Sequence, residues 1–189
     1  MTRAASSALP ARRTTGSGLV QGVIETPLGP LTALAGDAGL MGLWFDRQQH
    51  GPGTLDAPVD DAQRWIAQAR RELALYFAGR LRAFEVALAP QGTPFQEAVW
   101  QRLRAIRCGD TISYGRIARE IGSPQASRAV GAAVGRNPIS VIVPCHRVIG
   151  ENGTLTGYAG GLHRKVALLD IEGIELATRA RHEAQAALL

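Results

Sequence analysis

Apolar residues in the first half of the chain follow a strand-like pattern and then a helical one. From Leu19 to Asp46, short apolar and β-branched runs are separated by turns that contain Pro and Gly, which predicts a three-strand antiparallel meander. The next apolar and aromatic residues recur at helical spacing. They predict a helix with a buried inner face that begins at Asp60 or Asp61 and ends at Gly79. A short strand is predicted for residues 82–88.

The second half of the chain is mainly helical in its pattern. Thr93 to Gln96 has the form of a capping box, which predicts a helix that ends near Arg107. YGRIAREIG and SRAVGAAVGRN predict two short helices joined by GSPQ, as in a helix-turn-helix, although an αα-hairpin that does not contact DNA gives the same pattern. A β-branched run, NPISVIVP, predicts a buried strand. A glycine-rich loop then leads to a last helix from about Leu162.

These patterns divide the chain into four segments of an α+β protein. Residues 18–90 predict a small N-terminal α/β domain with antiparallel strands. Residues 91–176 predict a mainly helical C-terminal domain that contains a DNA-binding helix-turn-helix and the candidate active site. Residues 1–17 have the composition of a disordered leader, and residues 177–189 that of a poorly constrained tail.

Composition excludes several protein classes. With 189 residues, 46% of them hydrophobic, the chain can build one sizeable core or two small ones. We expect a cytoplasmic protein, because no apolar run approaches the roughly 18 residues of a membrane span and no signal-peptide core is present. Two cysteines predict free thiols rather than a disulfide scaffold. The four histidines lack metal-ligand spacing, so we expect neither a metal nor a cofactor.

Positive charge is concentrated in the middle of the chain. The net charge is +5, and the stretch from Gln101 to Arg147 holds eight arginines against two acidic residues. Such a concentration favours a polyanionic partner, above all nucleic acid. A solvated, arginine-rich face in a chain whose single lysine is Lys165 explains the charge equally well.

The candidate chemistry lies at Cys145 and His146, which are adjacent after the β-branched run. A neighbouring imidazole can hold a cysteine as the nucleophilic thiolate, and a carboxylate can orient that imidazole. Glu172, beside a glycine at the end of the last helix, is the candidate carboxylate. The alternatives are a buried structural cysteine and a glutamate on the surface at a helix end. Cys108 is interpreted as a buried structural thiol.

The residues around this pair resemble a known family. TISYGRIA, SRAVGAAVGRNP, VPCHRVIG, GYAGGLHRK and LLDIEG occur in that order between Thr93 and Gly173. In these motifs the chain resembles the O6-alkylguanine-DNA alkyltransferases, also called methylated-DNA–protein-cysteine methyltransferases. The N-terminal part, including PLGPLTAL, fits the smaller domain of that family with less specific motifs.

The resemblance implies an irreversible, stoichiometric DNA repair reaction. Cys145 would take the alkyl group from O6 of guanine, and from O4 of thymine, as a thioether. His146 would act as its base through a water, and Glu172 would orient His146. Asn137 would stiffen the turn before the cysteine, and Tyr114 would donate to N3 of the departing guanine.

The resemblance also implies how substrate and DNA are held. The partner would be double-stranded DNA bearing O6-alkylguanine, bound by a monomer that rotates the nucleotide out through the minor groove. Arg128 would fill the gap left in the duplex. The remaining substrate contacts would come from Val148, Tyr158, Ala159 and Lys165, and the remaining DNA contacts from Ser127, Ala129, Gly131 and Arg136.

Two residues depart from the pattern, and three other functions compete. Ser140 stands where the best-known members carry a proline, and Ala159 where they carry a serine, which affects the tolerance for bulky adducts. A module that senses alkylated bases without removing them would lack the reactive cysteine. A Cys-His hydrolase would need an oxyanion hole and an admitted water. A helix-turn-helix transcription factor would leave PCHRV unexplained.

Overall fold

The structure is a computed structural model that describes residues 18–174. The predicted leader, residues 1–17, and the predicted tail, residues 177–189, lie outside the described residues. Within them, an antiparallel sheet and one helix are followed by a mainly helical region, so the predicted α+β fold class is confirmed. No helix among residues 18–174 is long and apolar enough to cross a membrane.

The predicted meander is confirmed as a three-stranded antiparallel sheet. Its strands are β1 (Val20–Ile24), β2 (Leu31–Gly36) and β3 (Gly39–Phe45), in the order β1-β2-β3. Ala33 pairs with Leu43 across β2 and β3, and both side chains are fully buried. The sheet therefore presents an apolar face to the rest of the molecule.

Helix α1 covers Arg64–Phe77 and begins later than the sequence predicted. Its N-cap is Gln63, whose Oε1 accepts hydrogen bonds from the amides of the second and third residues that follow it. Both predicted N-caps are therefore wrong. The carboxylate of Asp60 accepts from the amide of Ala62, and that of Asp61 accepts from the amide of Val23 and pairs with Arg70. The end is as predicted, with Gly79 at a φ of +69°.

Residues 82–88 do not form the predicted strand. Their only β contact is a single bridge between Leu88 and Leu40 of β3. The carboxylate of Glu72 on α1 accepts the backbone amides of Glu85 and Val86 at 2.9 and 3.2 Å. A side chain therefore satisfies amides that a strand would have paired with a neighbouring backbone.

The remaining helices follow the predicted order. They are α2 (Pro94–Arg104), which begins with the predicted capping box and ends three residues early, α3 (Tyr114–Glu120), α4 (Ser127–Gly135) and α5 (Leu162–Ile171). Trp100 of α2 donates its indole N–H to the carbonyl of Ala133 at 2.9 Å, which fixes α4 against α2. The predicted helix-turn-helix, α3 and α4, is present.

The segment before Cys145 is not the predicted strand. It is a series of turns in which Val141 has a φ of +69°, and it leads into a 3₁₀ helix, Cys145–Arg147. Two short strands that the sequence did not predict, β4 (Ile112–Ser113) and β5 (Val148–Ile149), then pair in parallel. They connect the segment after the cysteine to the start of α3.

One hydrophobic cluster runs through both halves of the described chain. The amide of Leu43 donates to the carbonyl of Pro138, and the amide of Ser140 donates to the carbonyl of Leu43, both at 2.8 Å. The N-terminal sheet therefore supports the turns that precede Cys145. The boundary between the two domains at residue 90 stays a prediction.

Candidate active site

Cys145 begins the 3₁₀ helix, and its side chain is almost entirely buried. The Nδ2 of Asn137 donates to its Sγ at 3.1 Å and to the carbonyl of Val143 at 2.8 Å. The Oδ1 of Asn137 accepts the amide of Ile139 at 3.0 Å. One buried amide side chain thus closes the turns from residue 137 to 145 and points a donor at the sulfur.

A second group of contacts converges on Glu172, which lies at the C-cap of α5. Its Oε1 forms a hydrogen bond of 2.9 Å with Nε2 of His146. Arg147 donates from Nε to Oε2 and from Nη2 to Oε1, each at 2.8 Å. The hydroxyl of Tyr76 donates to Oε1 at 2.8 Å. His146 and Arg147 directly follow Cys145 in the chain, whereas Tyr76 comes from α1.

The electrostatics favour a neutral imidazole beside an ionised carboxylate. Burial lowers the pKa of His146, although the hydrogen bond that its Nε2 donates to Glu172 acts in the opposite direction. Burial would raise the pKa of Glu172, but the hydrogen bonds from His146 and Arg147 outweigh it and hold that pKa well below its usual range. Burial raises the pKa of the Cys145 thiol, and the hydrogen bond from Asn137 partly offsets this.

The Nδ1 atom of His146 is buried and has no hydrogen-bond partner among the described residues. With Nε2 held by Glu172, Nδ1 is the ring nitrogen left free to exchange a proton. A buried polar atom without a partner commonly marks the position of an ordered water.

Cys145 opens into a cavity of about 360 Å³. Its lining joins both halves of the chain and consists of Gln49, His50, Tyr114, Gly131, Ala132, Val134, Gly135, Cys145, Gly157, Tyr158 and Ala159. The cavity lies at the lower end of the size range of small-molecule sites. It lies between α4 and the glycine-rich loop before α5.

Two tyrosines line this cavity. Tyr114 exchanges a hydrogen bond of 2.8 Å with Oγ1 of Thr156, and burial raises its pKa. The Tyr158 hydroxyl is buried beside Cys145 without a hydrogen bond of normal geometry among residues 18–174, and burial raises its pKa well above the usual value. Both hydroxyls are therefore protonated near neutral pH.

Helix α4 presents a surface of small residues beside the cavity. Arg128, Ala129 and Arg136 are exposed, whereas Ser127 and Gly131 are half-buried. Inward, Val130, Ala133 and Val134 are buried against α2 and α3. The exposed face therefore combines a narrow profile with arginines at both ends.

The sequence comparisons agree with this geometry. Residues 94–174 match the family model described as the DNA-binding domain of 6-O-methylguanine DNA methyltransferase. Residues 19–90 match the model of the ribonuclease-like domain of the same proteins. The chain belongs to the methylated-DNA–protein-cysteine methyltransferase family.

Individual relatives of this alkyltransferase family align over most of their length. The methylated-DNA–protein-cysteine methyltransferase of Methanosarcina acetivorans is 48% identical over 151 residues, which cover 80% of this chain and 96% of the relative. That of Mycobacterium tuberculosis is 48% identical over 149 residues, which cover 79% and 89%. The crystal structure of Mycobacterium tuberculosis OGT in complex with DNA has a TM-score of 0.77 at 46% identity, and covers 82% of this chain and 93% of that one.

Two predicted substrate residues of the alkyltransferase site, Val148 and Lys165, lie outside the cavity lining. The Nζ of Lys165 is buried and donates to the carbonyls of Val148 at 2.6 Å and Thr156 at 3.2 Å. Burial lowers the pKa of Lys165 to about 8. Lys165 thus links the glycine-rich loop, at Thr156, to β5, at Val148.

Sequence reasoning missed several residues of the alkyltransferase site. Tyr76 was interpreted as a core aromatic, and nothing in its helical spacing indicated a bond to Glu172. Gln49 and His50 come from a polar loop without a motif. Arg147 directly follows the Cys-His pair, and this position in the sequence could have identified it as a site residue. The interpretation of Cys108 as buried was wrong, since it is partly exposed, with Nη1 of Arg82 at 4.0 Å.

Proposed function

We propose that this chain repairs alkylated DNA by direct reversal, moving the alkyl group from O6 of guanine, and from O4 of thymine, to Sγ of Cys145. The new S–C bond forms as the O6–C bond breaks, and the guanine leaves with the electron pair of that bond. The thioether is not hydrolysed, so each molecule acts once. The reaction needs no cofactor, and we expect it to occur in the cytoplasm on a monomer.

The base in this mechanism is His146. Its free Nδ1 supports a water between the imidazole and Cys145, through which the thiol proton moves to the ring. Glu172 holds Nε2 and stabilises the imidazolium that forms. Asn137 donates to the sulfur and so stabilises the thiolate against the cost of burial.

The leaving group is stabilised by Tyr114, which lines the same cavity as Cys145. A guanine anion is a poor leaving group, so Tyr114 supplies a proton or hydrogen bond to N3. Its raised pKa supports a role as donor. The amide of Ala159 contacts O6, Tyr158 forms a wall of the pocket, and the carbonyl of Val148 accepts from the exocyclic amine. Since Lys165 already donates to Val148, that carbonyl uses both lone pairs.

DNA is held by α4, whose exposed side suits a narrow minor groove. The helix presents Ala129 and Gly131 where larger side chains would prevent close approach, and Arg128 occupies the space of the nucleotide that is rotated out. Ser127 and Arg136 contact the phosphates at the two ends of the helix. Such contacts depend little on base sequence.

A single observation carries the proposal. The Sγ of Cys145 faces a cavity bounded by α4 and receives a hydrogen bond from Asn137, next to a neutral histidine held by a carboxylate. The alternative function is a DNA-binding protein that senses alkylated bases without removing them. It would have no use for a thiol at the base of the cavity.

The deciding experiment is the mass of the intact protein after mixing with an equimolar duplex that carries one O6-methylguanine. We expect the protein to gain one methyl group, mapped to Cys145 by peptide analysis, with no second turnover. Cys145→Ala is the matched control, because it keeps the fold and the α4 face. It should bind the same duplex with unchanged affinity and gain no mass.

Other outcomes would redirect the proposal. Unchanged mass with retained binding to the lesion would favour the sensing function. Methylation of Cys145→Ala would move the nucleophile to another residue. Repeated turnover with release of the methyl group would indicate a hydrolase.

A further inference from the structure

We infer that Tyr76 is a positioning residue through which the N-terminal half of the chain sets the orientation and charge of Glu172, and thereby the basicity of His146. The inference rests on the proposed transfer to Cys145. It assigns a function in the reaction to a helix that lies outside the cavity and outside the DNA-binding half.

The contact that carries the inference is direct and buried. The hydroxyl of Tyr76 donates to Oε1 of Glu172 at 2.8 Å, and this oxygen is also the one that holds Nε2 of His146. The two residues are 96 positions apart in the chain. The side chain of Glu172 is fully buried, so water cannot replace a lost donor at no cost.

The ring of Tyr76 is itself fixed by its surroundings. It packs edge-on against Phe77 at a centroid distance of 5.3 Å and at a tilt against Phe84 at 5.4 Å. Only 1% of the residue is exposed. The hydroxyl is therefore held in place by packing in the N-terminal half, and Glu172 is oriented against a rigid donor.

The donors on Glu172 share its negative charge. Arg147 forms a two-point ion pair with the carboxylate, and Tyr76 takes a lone pair on the oxygen that faces His146. Other charged or titratable groups near Tyr76, Glu172 and His146 include Lys165 on α5, the thiol of Cys108, and Arg82, which lines a small cavity together with Tyr76 and Glu172. A carboxylate that is satisfied elsewhere attracts a proton on the imidazole less strongly. His146 then stays neutral and able to accept the proton of the thiol.

Removal of the hydroxyl has a defined sign. In Tyr76→Phe, Oε1 of Glu172 loses one hydrogen-bond donor and attracts the proton on His146 more strongly, so the pKa of His146 rises. The protonated imidazole, which cannot act as a base, then persists to higher pH. The acidic limb of the pH–rate profile should therefore move to higher pH. At neutral pH transfer should also slow, because one constraint on the carboxylate is lost.

The test is the single-turnover rate of methyl transfer from an O6-methylguanine duplex, measured across the pH range. For Tyr76→Phe we expect a rate about three- to tenfold lower at neutral pH and an acidic limb shifted upward by about half a pH unit. The matched control is Leu73→Val, which removes a buried methylene one turn earlier in α1, at a side chain that has no group to hydrogen-bond Glu172. It should lower the melting temperature and leave the limb in place.

A second arm tests the route through Glu172. In a Glu172→Gln background, addition of Tyr76→Phe should cause no further shift of the limb. A persisting shift would overturn the inference, as would coincident limbs for Tyr76→Phe and Leu73→Val. If the unaltered protein gained no methyl group, the proposed function itself would fail, and the two failures are therefore distinguishable.

Discussion

Glu172 has consequences for stability as well as for chemistry. Its carboxylate accepts from Tyr76, His146 and Arg147, all of which are buried. The hydrogen bonds hold its pKa well below the value of about 4.3 expected in the unfolded chain. Its ionised form therefore stabilises the fold above that value, and this contribution is lost as the pH falls below it.

Glu172→Gln should change the acid dependence of stability. We expect the variant to be less stable by about 3 kcal/mol near neutral pH, because Arg147 stays buried without its counter-charge. Its free energy of unfolding should also fall less steeply than that of the unaltered protein between about pH 5 and about pH 3. Urea unfolding over this range measures both effects. Parallel pH curves for the two proteins would contradict the assignment of the depressed pKa to Glu172.

Ser140 shows why a departure from a family pattern cannot be reversed freely. The resemblance places a proline at this position, yet here the amide of Ser140 donates to Leu43 at 2.8 Å and its Oγ donates to Oε1 of Gln48 at 2.7 Å. Val141, the next residue, already has a positive φ. The serine is therefore part of the joint between β3 and the turns before Cys145.

We expect Ser140→Pro to be less stable than Ser140→Ala by about 1 to 3 kcal/mol. Both variants lose the hydroxyl, but only proline also removes the donor to Leu43 and restricts the residue before it. Thermal unfolding of the pair isolates the backbone contribution. Equal melting temperatures would show that the bond to Leu43 contributes little.

At the scale of elements, α4 combines a buried inner face with an exposed surface of small residues. Because Arg128 is exposed and has no ion-pair partner among the described residues, its removal should not disturb the fold. Its expected function arises only with a duplex, where a rotated nucleotide leaves a gap.

Arg128→Ala should slow repair of O6-methylguanine in duplex DNA by about tenfold or more, and leave the reaction with the free base largely unchanged. Arg71→Ala on α1 is the charge-matched control, since it removes an exposed arginine far along the chain from α4. Single-turnover rates on both substrates measure the difference. Equal losses on duplex and free base would count against the gap-filling function.

Elements were predictable from sequence where local signals determine them. The capping box at Thr93 and the positive-φ glycine after α1 are contained in a few consecutive residues, and both were confirmed. Residues 82–88 and the turns before Cys145 were wrongly predicted as strands. Their backbone groups are satisfied by polar side chains, those of Glu72 on α1 and of Asn137 at the start of the β-branched run. The pattern of apolar residues in a segment carries no information about a polar side chain that binds its backbone.

At the scale of the whole molecule, the site too was predictable only where its residues are neighbours in sequence. The motif around Cys145 was sufficient to name its neighbours in sequence, and the family is confirmed. The contributions of Gln49, His50 and Tyr76 were not predictable, because they depend on how the N-terminal half packs against the other. The amide of Gln49, for example, donates to the carbonyl of Ala159 at 2.9 Å.

This packing predicts that residues 91–189 alone do not form a competent site. The fragment would lack Tyr76 and the β3 contacts to Pro138 and Ser140, and it would expose part of a shared core. We expect transfer to be about a hundredfold slower, since small displacements of reacting groups have effects of that order. Addition of residues 1–90 in trans should restore part of the rate.

The matched control is the full chain cut at a protease site inserted between Pro90 and Gln91. The cut chain has the same covalent break but is folded beforehand, so non-covalent contacts such as Arg164 to the carbonyl of Leu28 should hold the halves together. Its transfer rate should stay close to that of the uncut protein. A fragment of residues 91–189 that transfers as fast as the full chain would instead show that the N-terminal half does not contribute to the site.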